Sequence, residues 1–305
     1  MIHLVQKKLK RISEMIDWTC ISFDEAKNML RKWREEHARR SVETVGLWKR
    51  ILSHRPRSLG DEIWLVYEQV CIAALDSANI DLAVECIQAL QERFPRSNRV
   101  LKLQAMRLEA LKRYDSATHL YEQLIESDPT NMSYRKRKIA ILEAQDNRLE
   151  AIRELNEYLK TFISDMEAWL ELSDLYLQEG NHAHAAHCLE ELVLFNPNNS
   201  LYLRRLAEIR YTQGGSENIE LAKSYFEQAV RTNPSCSRSL YGIILCCISL
   251  SSKSSGQRKK EITQSGLIAI EKLISIYKEA SKEGKNPNIV MELKTISNLK
   301  KQLQS

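Results

Sequence analysis

The chain has 305 residues, 43% hydrophobic and 28% charged, with only nine Gly and six Pro, a balance that favours helices joined by short turns over strands and hairpins. Its 45 basic and 40 acidic side chains leave a formal charge of +5. The two signs are mixed along most of the chain, so the concentrated basic stripe of a nucleic-acid binder is not expected.

Residues 1–22 form a basic N-terminal extension whose weak apolar stripe is Ile2, Leu4, Val5, Leu9 and Ile12. A frayed helix is the plain reading and a membrane-surface anchor the alternative. No apolar run with a small-residue cleavage site is found, so no secretory signal is expected. Residues 23–63 read as an N-terminal helical pair, marked by Trp33, Trp48, Ile51 and Pro56.

A period then sets in. Ala83, Ala117, Ala151 and Ala185 recur every 34 residues, Ala222 follows after 37, and Pro95, Pro129, Pro197 and Pro234 each stand twelve residues after an alanine of the series. In the best-formed copy, 165–199, Trp169, Leu172 and Tyr176 make one helical stripe and Gly180 ends that helix. Ala185, Leu189 and Leu192 make the second stripe, and Pro197 closes the unit. The alanine marks the closest helix crossing, where a larger side chain would overpack by about 1–3 kcal/mol. Ser173 holds the small position of the first helix. This helix–turn–helix pattern resembles the tetratricopeptide repeat. Five repeats are assigned, at 64–97, 98–131, 132–165, 166–199 and 200–236, the last with a longer turn, QGGSEN. Residues 237–305 read as a degenerate repeat and C-terminal capping helices: a loop at 250–260, then helices over 261–283 and 288–304. The uncharged run at 239–252 is too short for the roughly 20 apolar residues of a membrane span. One pair cannot bury its own apolar faces, so neighbours must stack. The repeat resemblance implies an all-α, right-handed superhelical solenoid whose concave face is lined by the first helices.

The stretch YRKRKIAI at 134–141 breaks the pattern. Adjacent helical residues differ by about 100°, so Arg135, Lys136, Arg137 and Lys138 cannot share one solvated face. In register, Arg135 and Lys138 take the places of Trp169 and Leu172, and Lys136 falls on the concave line. Cations in the first turns of a helix are also locally unfavourable, by about 0.3–1 kcal/mol each. The bland explanation is snorkelling, with aliphatic stems packed and charged heads wet. The functional one is a basic docking patch for an acidic partner segment. Arg99, Lys102 and Arg204 are weaker concave candidates.

Signals of enzymatic chemistry are thin. His184 and His187 sit three apart in HAHAAH, a spacing that can ligate a metal, but only Cys188 lies near as a third ligand and solvated histidines are the better reading. The glycines of QGGSEN lack the preceding strand of a phosphate cradle. The seven cysteines, Cys20, Cys71, Cys86, Cys188, Cys236, Cys246 and Cys247, show no CxxC spacing and read as free buried thiols of a reducing compartment. No catalytic residue, metal or cofactor is expected. Tetratricopeptide co-chaperones clamp a peptide carboxylate with an amide at a concave position that Ile72, Met106, Ala140, Asp174 and Glu208 occupy in this chain, which weakens a clamp reading.

Beyond the repeat, MLRKWREE (29–36), LGDEIWLVYEQVCIAALD (59–76), DPTNMSYRKRKIAILEAQ (128–145), EAWLELSDLY (167–176) and YTQGGSENIELAKSYFEQA (211–229) resemble the subunit 2 family of the endoplasmic-reticulum membrane protein complex. The similarity covers about residues 23–236. It implies a non-catalytic scaffold, peripheral on the cytoplasmic face of the endoplasmic reticulum without a span of its own. Its expected partners are cytosolic segments of the complex's membrane subunits and a second cytosolic subunit, in a complex that inserts tail-anchored and multipass membrane proteins. The other expectations are a free peptide-binding adaptor or co-chaperone and an RNA-binding repeat. The last would need a planar side chain recurring once per repeat on the concave face, and none recurs.

Overall fold

The structure, a computed structural model, describes residues 21–282 and 289–304. The N-terminal stripe from Ile2 to Ile12, and Cys20, lie outside them. All fifteen elements longer than a few turns of 3-10 helix are α-helices, with no strand among the described residues. The chain divides into two compact units, one ending at Asp146 and the other beginning at Asn147.

The first unit holds α1 (Phe23–Glu35), α2 (Ser41–Arg50), α3 (Ile63–Asp76), α4 (Ile80–Arg93), α5 (Asn98–Ala110), α6 (Tyr114–Ser127) and α7 (Met132–Ala144), with 3-10 turns at 52–54 and 56–62. A capping box opens α1: the Ser22 hydroxyl accepts from the Glu25 amide at 3.3 Å and the Glu25 carboxylate accepts from the Ser22 amide at 2.8 Å. Trp33, Trp48, Leu59, Val70 and Leu90 join one apolar core, and Ala117, Tyr121, Leu124, Tyr134 and Ile141 a second.

The second unit holds α8 (Arg148–Thr161), α9 (Met166–Gln178), α10 (His182–Phe195), α11 (Ser200–Gln213), α12 (Ser216–Thr232), α13 (Ser237–Ser251), α14 (Gly256–Lys282) and α15 (Ile289–Gln304). The crossing alanines Ala83, Ala117, Ala151, Ala185 and Ala222 are all fully buried. Ser173 shows why that position must be small and can be polar: it is fully buried, and its hydroxyl donates to the Ala185 carbonyl at 3.2 Å. In the first unit Cys71 stands in the same relation to Ala83, Sγ to carbonyl 3.8 Å.

The turns repeat as faithfully as the crossings. Ala78, Lys112, Asp146 and Gly180, 34 residues apart, all take left-handed backbone with φ between 57° and 71°. After α3 the Ala78 amide donates to Leu75 and the Asn79 amide to Ala74, the two bonds of a Schellman ending. Only Gly180 takes that conformation without steric cost. One repeat lacks its closing proline, with Ile163 in that place. There Trp169 Nε1 donates to the Ile163 carbonyl at 2.8 Å and the Tyr158 hydroxyl to Asp165 at 2.6 Å, so side-chain bonds fix the turn.

At the C-terminal end the expected loop is shorter than its composition suggests. α13 runs to Ser251 because Leu250 and Ser251 are buried, and α14 starts at Gly256, held early by an Arg258–Glu220 ion pair at 2.5 Å. Only 252–255 lie outside the helices, where Ser, Lys and Gly had indicated a loop over 250–260. Gly242, inside α13, lies against the Phe226 ring so closely that a Cβ would sit 2.4 Å from it. No helix of the described residues is long and apolar enough to cross a membrane.

Candidate functional site

Successive repeats are tied, through their first helices and the turn that precedes α3, by a polar ladder with its own spacing. Arg31 pairs with Glu62, Arg99 with Glu68, Lys102 with Ser133 and Arg205 with Asp174, each across 31 residues. The value is one repeat less one helical turn, the stagger of adjacent helices in which side chains three apart share a face. Opposite charges at that spacing are visible in the sequence, but only a reader who already knows the stagger would look for them.

Two of the four cations of α7, Arg137 and Lys138, are paired with carboxylates, and the Nε of Arg135 is buried without a hydrogen-bond partner among the described residues. Asn131 caps the helix, accepting from the Ser133 amide at 3.1 Å. All four side chains are half-buried, while Tyr134, Ile139 and Ile141 supply the buried stripe. Arg137 bonds Glu109 at 2.7 Å and Lys138 lies 3.4 Å from Glu122. Lys138, at the register of the buried Leu172, keeps its side chain 20% exposed, the geometry of a packed stem with a wet head.

Two adjoining cavities run along the first unit, of about 750 Å³ and 290 Å³, sharing Arg39 and Asp76 in their walls. Arg99 and Lys102 line the larger and Arg137 the smaller. The larger is also lined by Arg34, Arg39 and Arg40, which the sequence reading missed. They belong to the degenerate first pair, where no repeat register points inward; the run HARR at 37–40 is the sequence signal of Arg39 and Arg40, and Arg34 stands in RKWREE at 31–36. Ile72, Met106 and Ala140, where a carboxylate clamp would carry its amide, form part of the apolar lining. Arg204 lies in the other unit and lines neither cavity.

Most groove charges are answered within the fold. Asp76 receives two hydrogen bonds from Arg39, at 2.8 and 2.6 Å, and one from Ser41 at 2.7 Å. Burial opposes its ionisation, yet these bonds and the Arg39 charge hold its carboxyl below the usual range. Arg40 lies over the Trp33 ring, 5.5 Å from its centroid. Lys102 is different: its Nζ is 3.2 Å from the Ser133 hydroxyl and 5.9 Å from the Tyr134 ring, with no carboxylate at ion-pair distance among the described residues. Burial first, then the neighbouring Arg137 and Arg99, push its pKa down despite Glu68 and Glu109 nearby.

The remaining reactive groups are quiet. Burial pushes Cys71, Cys188 and Cys246 up to about 12 and Cys247 to about 11, so these thiols pack rather than react. His184 stacks on Tyr176 at 5.1 Å and His187 meets the Trp169 ring edge-on at 6.4 Å. No group of three metal-ligating side chains occurs among the described residues.

Helix pairs of this length, alanine crossings and left-handed turns at a 34-residue period define a tetratricopeptide-repeat protein. The C-terminal part of a TPR repeat-containing protein from Cytophaga hutchinsonii superposes with a TM-score of 0.58 at 13% identity, covering 89% of this chain and 99% of that one. The EMC2 TPR-like repeat domain matches residues 87–240. ER membrane protein complex subunit 2-B of Xenopus laevis is 41% identical over 276 residues, 90% of this chain and 92% of that protein. TPR repeat protein oca3 of Schizosaccharomyces pombe is 34% identical over 206 residues, 67% of this chain and 73% of its own length. The chain belongs to the subunit 2 family of the ER membrane protein complex.

Proposed function

We propose that the chain is a non-catalytic scaffold subunit on the cytoplasmic face of the endoplasmic reticulum. It organises the membrane and soluble subunits of the complex while that complex inserts tail-anchored and multipass membrane proteins. The observation that carries this reading is the convergence of Arg99, Lys102 and Arg137 along one apolar-floored groove in a chain of this family. Groove modules of stacked helices hold partner segments by apolar anchors and charge. Arg135, Lys136, Arg137 and Lys138 form the proposed docking patch, Arg99 and Lys102 its extension, and Arg204 a separate, weaker contact.

The test is mild-detergent affinity purification of the tagged chain beside a Lys136→Glu, Arg137→Glu variant. Stoichiometric recovery of membrane subunits with the parent, and their loss from a variant that keeps its melting temperature, is the expected result. Recovery of a chaperone alone would instead favour the free adaptor, and equal loss of thermal stability would mean that the patch serves folding.

A further inference from the structure

The groove of the first unit has a charge imbalance that the fold leaves in place. Its larger cavity is walled by five Lys or Arg side chains and two carboxylates, Glu68 and Asp76. Both carboxylates are already engaged, Glu68 by Arg99 and Asp76 by Arg39. Glu109, beside the smaller cavity, is engaged by Arg137. The repeat shows what a neutralised version of the Lys102 site looks like. Arg204 stands three repeats on from Lys102 in the same position, and Glu208, four residues further along its helix, lies 3.4 Å from it. Four residues beyond Lys102 comes Met106, apolar and 6% exposed. Lys102 is thus a half-buried ammonium with a hydroxyl, a ring face and, among the described residues, no carboxylate at ion-pair distance.

A cation withdrawn from water without a counter-charge is unfavourable, and a carboxylate brought from outside relieves it. Ile72 lines the same cavity as Lys102, and Met106 and Ala140, each one repeat further on, line the adjoining one, a succession suited to an extended chain that presents apolar and acidic residues in turn. We propose that this groove binds an extended acidic segment of a partner protein, seating one carboxylate on Lys102 and an apolar side chain on the Ile72–Met106–Ala140 wall. The inference rests on the scaffold reading and adds the chemistry of what is held.

The probes are labelled twelve-residue peptides of one frame, Leu at fixed positions and Glu, Gln or Lys at the others, titrated by fluorescence anisotropy against the purified full chain. The Glu peptide is expected to bind about tenfold more tightly than the Gln peptide, the value of one charge-assisted hydrogen bond. The Lys peptide is expected not to bind, and rising salt to weaken the Glu complex. Lys102→Met is expected to remove the preference for Glu while melting at or above the parent temperature, since it deletes an uncompensated charge. Lys253→Met, on an exposed loop, is expected to behave as the parent. Equal affinity for Glu and Gln peptides, full Glu binding by Lys102→Met, or equal competition by a poly-uridine oligonucleotide would overturn the proposal. Absence of peptide binding from a chain that still co-purifies with membrane subunits would overturn it and leave the scaffold reading standing.

Discussion

Lys102 and Arg204 occupy one repeat position in two different units, and one helical turn further on Lys102 meets Met106 where Arg204 meets Glu208. Arg204 has Glu208 one helical turn away, and Cys236 and Ser239 at the N-terminus of α13 lie near, with Arg204 helping to hold the Cys236 thiol below its usual range against the effect of burial. Lys102 has Met106 at that turn and lines an open groove. The second unit has a cavity too, about 860 Å³ between α12, α13 and α14. Its cations Arg231, Lys260 and Lys272 are mixed with Glu227 and Glu261, and Glu227 is held by Lys223 at 3.1 Å and Ser265 at 3.1 Å. The repeat scaffold tolerates cations at its first helices in either unit, and the residue one helical turn away decides whether the cation is paired within its own helix.

If the units differ in surface chemistry and share their core, equivalent core truncations should be equally harmful. Leu124→Ala in the first unit and Leu192→Ala in the second, both fully buried, are each expected to lose about 2–5 kcal/mol in urea unfolding. A small loss at only one of them would show that the helix pairs are packed to different standards.

Asp76 sharpens the comparison through pH. Its folded carboxyl titrates below the unfolded value, so the unfolded chain binds more protons in that window and stability rises with pH there. The contribution is fully present above about pH 4, the ordinary Asp value, and is lost as pH falls through the lower folded pKa. Asp76→Asn is expected to lose about 1–2 kcal/mol at neutral pH, moderated by the exposure of Arg39. The gap from the parent should close in acid, as followed by denaturant midpoints across pH. A gap constant with pH would assign the loss to packing.

The turns give smaller effects of opposite sign. Gly180→Ala puts a Cβ into left-handed backbone and is expected to destabilise by about 1 kcal/mol, whereas Ala78→Gly or Lys112→Gly relieves the same strain and should gain up to about 0.5 kcal/mol after the entropy of the unfolded glycine is counted. Melting temperatures of the three variants check the signs. The smallest effect is expected from Glu208→Met, which leaves Arg204 as Lys102 is. Loss of an i,i+4 pair whose carboxylate is exposed is worth about 0.2–0.5 kcal/mol, while the salt dependence of stability should fall.

Much of the fold was legible because its recurring constraints are local and steric. An alanine at each crossing and a proline after each pair leave marks at fixed spacing, and the helix pairs follow from them. The C-terminal loop was read too long because Ser-rich composition signals turns, whereas burial of Leu250 and Ser251 carries α13 onward. The site was legible in part. Arg99 and Lys102 were singled out as concave positions and Arg137 from the run of four cations, and they line two adjoining cavities, but Arg34, Arg39 and Arg40 come from a pair too degenerate to index. The engagement of Arg137 and Lys138 by Glu109 and Glu122 was invisible, because it depends on how α7 packs against α5 and α6, which no single helix encodes.

The most direct measurement is a side-by-side mild-detergent co-purification of full chains carrying Lys102→Glu or Arg204→Glu, each shown by circular dichroism and melting temperature to be folded. Loss of membrane subunits from Lys102→Glu with retention by Arg204→Glu is the predicted result. Equal retention by both, or selective loss from Arg204→Glu, would contradict the assignment of partner binding to the groove of the first unit.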